Sequence, residues 1–195
     1  MKWEQIATIF IASALINNFV FSRYLGLCIF FGVTKKMETA VGMSVTFTAV
    51  MVISAALSWL VYNYVMIPLN LAFLKIVIFI GIVAAFVQAA DTIMKKMTPA
   101  LYYKLGIYLA LIVTNCIILA VPLINADEHY SFFESIALAM GSGLGFSLAL
   151  IIMASIREKL ELADVPKSFQ GLPISFVLTG LIALAFLGFS GMITL

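Results

Sequence analysis

The apolar positions of this chain fall into six long runs separated by short polar gaps, over residues 5–33, 39–62, 69–90, 99–123, 132–156 and 172–195. Such runs match the roughly 20 residues that carry an α-helix across about 30 Å of hydrocarbon, and none alternates polar with apolar residues as a membrane-barrel strand does. The pattern predicts an all-α integral membrane protein of six transmembrane helices, one membrane domain over residues 1–195 with no separate soluble part. Run one holds about 29 residues, a helix near 43 Å long, which is too long for a simple crossing. Asn17-Asn18 and Ser22-Arg23 put capping-type side chains in its middle, so we expect it to break into half-helices. Run four carries Thr114-Asn115 in the same role, which places Cys116 in the first turn of a new half-helix.

Lys2 and the apolar stretch through Ala12-Ser13-Ala14 have the outline of a secretory signal with its cleavage site. The apolar pattern nevertheless runs on to Phe21, so this stretch reads as a retained crossing.

Composition agrees on the solvent: 64% hydrophobic residues against 10% charged, with a mean hydropathy of +1.17, describe a chain immersed in lipid. The placement of charge then orients it. Lys35 and Lys36, Lys95 and Lys96, and Arg157, Lys159 and Lys167 lie in the gaps after runs one, three and five, whereas the gaps after runs two and four hold neither Lys nor Arg. By the positive-inside rule the basic gaps are cytoplasmic and both termini are on the outer face, with Lys2 as the one opposing charge. The net charge of +2 is taken up by topology. No basic patch interleaved with aromatics remains to bind nucleic acid.

The two halves of the chain, approximately residues 1–95 and 96–195, resemble one another. Cys28-Ile29-Phe30-Phe31-Gly32-Val33 parallels Cys116-Ile117-Ile118-Leu119-Ala120-Val121, and Met37-Glu38-Thr39 parallels Phe133-Glu134-Ser135. Each half contributes three crossings, an odd number, so the second must be inserted upside down relative to the first. Inverted-repeat folds place their site near the midplane, at the repeat interface, where broken helices point their ends inward. Runs one and four are symmetry mates on this plan. Cys28 and Cys116, the only cysteines, are then expected to be buried and to face one another near mid-bilayer.

Two facing thiols admit a disulfide, a metal site or inert packing. A disulfide has little reason to form in hydrocarbon, away from oxidising machinery. An iron-sulfur cluster asks for four thiolates, and here there are two, with one distant His129 and no CxxC spacing. One chain cannot close such a site, whereas a homologous partner with its own pair can. A lone buried Cys is otherwise a small hydrophobe.

Several segments together bring a family into view. Leu15-Ile16-Asn17-Asn18-Phe19-Val20, Leu25-Gly26-Leu27-Cys28, Gly32-Val33-Thr34-Lys35-Lys36-Met37-Glu38-Thr39-Ala40, Ile67-Pro68-Leu69-Asn70-Leu71, Leu105-Gly106-Ile107-Tyr108, Thr114-Asn115-Cys116, Ile156-Arg157-Glu158-Lys159-Leu160, Ala163-Asp164-Val165-Pro166 and Gly188-Phe189-Ser190-Gly191 span the whole chain. They resemble the A-type subunits of the Rnf complexes, with the E-type subunits of the sodium-pumping NADH:quinone reductases as near relatives. The resemblance implies a membrane subunit of an ion-translocating ferredoxin:NAD oxidoreductase that couples electron transfer to Na+ or H+ movement. It implies residence in the cytoplasmic (inner) membrane of a bacterial-type cell, with the homologous E-type subunit and the B, C, D and G subunits as partners. It further implies that Cys28 and Cys116 are two of the four ligands of an intramembrane 2Fe-2S cluster shared with the E-type subunit, flavin and nicotinamide chemistry belonging to other subunits. Ile29 and Ala110 stand where many family members have Pro, a departure that affects helix bending rather than ligation.

Remaining polar residues have plainer readings. Lys75 near the outer end of run three snorkels to the interface. Arg23 either balances charge near Cys28 or caps the break. Glu38 and Glu134, at repeat-related positions, read as helix-start carboxylates rather than cation relay sites, His129 as a solvated loop residue, and Gly141-Ser142-Gly143-Leu144-Gly145 as a close-packing surface rather than a phosphate loop. A secondary transporter of a small solute or cation, with incidental cysteines, is the alternative function, and a scaffold that only positions other subunits is a third.

Overall fold

Helices account for all regular structure in the computed structural model, which describes residues 2–69, 72–97, 112, 115–163 and 165–189. Among the described residues the order is α1 (Lys2–Ile11), α2 (Leu27–Val33), α3 (Met37–Val61), α4 (Lys75–Met97), α5 (Cys116–Asp127), α6 (Phe132–Glu161) and α7 (Leu172–Leu187). Wide π-turns continue α1 over Ala12–Ile16 and α3 over Tyr62–Met66, and a 3-10 turn, Ala72–Leu74, leads into α4. Two helices, Met37–Met66 and Phe132–Glu161, are long and apolar enough to cross a membrane; Trp3–Ile16, Lys75–Ala89, Cys116–Asp127 and Leu172–Leu187 are shorter apolar helices. The all-α class follows the apolar pattern. Run three becomes helical only at Lys75, behind Pro68 and the 3-10 turn, because proline at that point resists continuing the preceding helix. Conversely, α6 passes Arg157 to reach Glu161, since Arg, Glu, Lys and Leu are all good helix formers.

The break expected in run one is present. Residues 17–26 are non-helical between the π-turn and α2. Asn18 fixes their path: it is fully buried, its Nδ2 donates to the Gly145 carbonyl at 2.8 Å, and its Oδ1 accepts from the Val20 N–H at 3.0 Å. The first part of run four, with Ala110 and Thr114, lies outside the described residues. Past that stretch the expectation holds: Asn115 is extended, and α5 starts at Cys116.

α3 and α6 form the centre, where Phe47 and Phe146 pack ring to ring with centroids 4.2 Å apart. The glycines of α6 let its neighbours approach closely. A Cβ on Gly143 would sit 2.8 Å from Thr48 Cγ2 on α3, one on Gly141 would sit 2.6 Å from the Phe10 carbonyl of α1, and one on Gly145 would sit 2.7 Å from the Ala14 carbonyl. The glycine run is thus the close-packing surface that the sequence predicts. It also seats the Ala12-Ser13-Ala14 stretch inside the bundle. Phe21 against Phe186 and Phe31 against Phe176, with centroids 4.8 and 4.3 Å apart, attach α7 to the break and to α2.

Two sets of polar contacts mark the two ends of α6. At its start, Trp59 Nε1 donates to the Tyr130 carbonyl at 2.9 Å, Tyr62 OH to the Ala126 carbonyl at 3.4 Å, and Lys75 pairs with Asp127. These contacts join the end of run two and the start of α4 to the gap after run four. At the far end, Arg157 Nη1 donates to the Phe31 carbonyl at 2.9 Å and to Thr34 Oγ1 at 3.0 Å, which unites the gaps after runs one and five.

Candidate functional site at the adjoining starts of two cysteine helices

Cys28 and Cys116 occupy the second and first positions of α2 and α5. The starts of these helices touch. Gly26, the N-cap of α2, lies so close to α5 that a Cβ there would be 2.7 Å from Ile117 Cδ1 and 3.3 Å from Asn115 Oδ1. Its left-handed backbone, φ 76°, lets the chain turn into α2 at a point where an L side chain is strained. Asn115 starts α5 by local chemistry instead: its Oδ1 accepts from the Ile117 N–H at 2.9 Å.

From this common point the two helices run to opposite ends of α6. α5, about 18 Å long, ends at Asp127 beside the start of α6, whereas α2, about 10 Å long, ends where Arg157 holds Phe31 and Thr34 near the finish of α6. Both cysteines therefore lie well inside the length of the bundle. The order of a short cysteine helix, a long helix and a further helix occurs as α2–α3–α4 and again as α5–α6–α7.

The thiols are not buried, contrary to the expectation from their apolar surroundings: both are free and exposed on the surface of the chain. Hydropathy locates a residue in a run without saying which side of the helix meets the chain's own core. Ile29, Phe30, Phe31 and Val33 take the inner side of α2, and Ile117, Ile118 and Val121 that of α5, which leaves each cysteine outward. A packing role for the thiols inside this chain is thereby removed. Among the described residues no group of three or more His, Cys, Asp or Glu side chains comes together as a metal site. Two outward thiols at adjoining helix starts do fit half of a four-thiolate set, because helix N-termini favour negative charge and an exposed thiol is open to a second chain.

The other polar residues singled out in the sequence have surroundings of their own. Arg23 lies over the Phe19 ring, 5.5 Å from its centroid, and lines a cavity of about 180 Å³ together with Asn17, Asp127, Glu128 and Tyr130. Lys75 meets Asp127, a partner that periodicity does not reveal. Glu134 accepts from the Ser131 N–H at 2.8 Å in a capping box, the helix-start role expected of it, and Glu38 lies in the first turn of α3. His129 is exposed in a left-handed turn, φ 53°. Sequence reasoning likewise misses the ties of Arg157 to α2 and of Asn18 to Gly145. The signal available is a polar residue inside an apolar run, which shows that a partner exists but not where.

Comparison with known proteins gives this arrangement a context. Residues 6–193 match a family described as Rnf-Nqr subunit, membrane protein. The chain is 56% identical over 188 residues, 96% of its length and 97% of the relative's, to the A subunit of the proton-translocating ferredoxin:NAD(+) oxidoreductase complex of Clostridium ljungdahlii. It is 50% identical over 184 residues, 94% of its length and 96% of the relative's, to the A subunit of the Na(+)-translocating ferredoxin:NAD(+) oxidoreductase complex of Acetobacterium woodii. It is 46% identical over 183 residues, 94% and 95% of the two lengths, to the A subunit of the ion-translocating oxidoreductase complex of Aeromonas hydrophila.

Proposed function

Because the chain belongs to the Rnf-Nqr family of membrane subunits, we propose that it is the A-type subunit of an ion-translocating ferredoxin:NAD oxidoreductase in a bacterial cytoplasmic membrane. In this reading it couples electron transfer to Na+ or H+ movement and works beside the homologous E-type subunit and the B, C, D and G subunits. Six crossings in two inverted repeats are part of the proposal. The divergence of α2 and α5 from one point toward opposite ends of α6 supports it.

Cys28 and Cys116 are proposed as two of the four ligands of a 2Fe-2S cluster whose other two come from the E-type partner. The observation that carries this is their outward exposure at adjoining helix starts. The group supplies one-electron transfer when bound. This chain supplies two thiolates, and the positive ends of both helix dipoles favour the negative charge there. An electron arriving at this depth meets a low dielectric, so its charge requires a compensating cation, and that requirement links electron transfer to ion movement.

Electron paramagnetic resonance of the purified complex tests the ligands. Cys28→Ser and Cys116→Ser should each abolish the cluster signal, and an unchanged signal in either variant removes that residue as a ligand. Intact turnover in both, with solute or cation binding by the isolated subunit, would support a transporter with incidental cysteines. Turnover in sealed vesicles with and without Na+ identifies the coupling ion: dependence of the membrane potential on Na+ assigns Na+, and indifference assigns H+.

A further inference from the structure

α2 is the shorter of the two cysteine helices and the less firmly started. It spans Leu27–Val33, about two turns, and no side chain caps it; its N-cap is the left-handed Gly26. A helix end leaves its last carbonyls without intrahelical donors, and burial denies them water here, since Phe31 is 7% exposed and Thr34 is fully buried. The Phe30 carbonyl is served from within the turn, by the Thr34 N–H at 3.3 Å and the Thr34 hydroxyl at 2.7 Å. The Phe31 carbonyl is served from α6. Arg157 Nη1, 126 residues along the chain, donates to that carbonyl at 2.9 Å and to Thr34 Oγ1 at 3.0 Å. One cationic nitrogen thus closes the finish of α2 with two bonds, at the end where a helix dipole favours positive charge. Ile29, Phe30 and Phe31 hold the inner side of α2 against the core, but apolar contact is not directional. The tilt and rotation of a two-turn helix that starts at a glycine are therefore set at its finish, and Cys28 lies on it about one turn before Phe31. α5 needs no such tie, because Asn115 caps it locally.

We propose that Arg157 is a positioning residue for the redox site, which aims the Cys28 thiol at the shared cluster by fixing α2 from its far end. The proposal rests on the ligand assignment to Cys28 and Cys116. Arg157 acts through α2 and ligates nothing itself.

Hydrogen exchange of the purified complex, followed by mass spectrometry, tests the tie without using the cluster. Arg157→Met keeps an unbranched stem and loses the charged donor, so the amides of α2 should exchange about tenfold faster while those of α5 keep their rates. Unchanged exchange in α2, or equal acceleration in both helices, overturns the proposal. Electron paramagnetic resonance of the reduced complex tests the consequence. Clusters that form in Arg157→Met should show shifted g values, and Arg157→Lys, which keeps a cationic donor without the planar fork, should restore part of the unsubstituted spectrum. A merely structural role predicts less cluster with the unsubstituted line shape, and that result also overturns the proposal. Thr34→Val removes one of the two bonds from the other side and should produce the same changes to a smaller degree, which keeps the test open if Arg157→Met does not assemble. An unsubstituted complex with no cluster at all would instead remove the ligand assignment.

Discussion

The two cysteine helices reach the same meeting point by different means. α5 is specified locally: Asn115 caps it through its side chain, and the next helix opens with the Ser131–Glu134 capping box. α2 has no side-chain cap, and neither has α3 after it. Its start depends on the left-handed Gly26, the fit of that glycine against Ile117, and the grip of Asn18 on α6. One half is encoded within a few residues, the other by contacts across long stretches of chain. Substitutions in the first half should therefore cost more than cap substitutions in the second.

The largest effect is expected at Gly26. Ala there takes on left-handed strain of about 1–2 kcal/mol and overpacks against the fully buried Ile117, typically another 1–3 kcal/mol. Gly26→Ala should thus lower stability by about 2–5 kcal/mol, read as the midpoint of denaturant unfolding in detergent micelles. A loss below that of Asn115→Ala, for which about 1 kcal/mol is expected, would break the comparison.

Asn18→Ala comes next. It leaves the buried Val20 N–H without its acceptor and removes the bond to Gly145, for an expected loss of about 2 kcal/mol in the same measurement. Its counterpart in the second half, Ser131→Ala, gives up a cap and should cost about 1 kcal/mol. Equal losses at the two sites would mean that the first half is as locally determined as the second.

The same contrast governs what is legible in the sequence. Capping residues, the glycine run and the loop charges are local signals, and they place Cys116 in a first turn, Gly141 to Gly145 in a packed surface, and the break near Asn17-Asn18. The partners of Arg157, Lys75 and Asn18 lie 126, 52 and 127 residues away, where no periodicity reaches. The exposure of the thiols escapes the sequence for a related reason: in lipid both sides of a helix are apolar, so hydropathy does not distinguish core from surface.

The smallest effect sharpens the second half alone. Tyr130, in the loop between α5 and α6, has its hydroxyl pKa held above the ordinary value near 10, first by burial and then by the negative charges of Glu128 and Glu134. A raised pKa in the folded chain means that folding favours the protonated phenol. Its contribution to stability is complete below the unfolded value of about 10 and is lost as pH rises through the higher folded value. Unfolding midpoints from about pH 8 to 11 should therefore fall more steeply for the unsubstituted chain than for Tyr130→Phe, which has no phenol to ionise. Glu134→Gln removes one of the two charges and should reduce the difference between those slopes. Parallel slopes for the unsubstituted chain and Tyr130→Phe would show that this loop, unlike the caps beside it, adds nothing to the local specification of the second half.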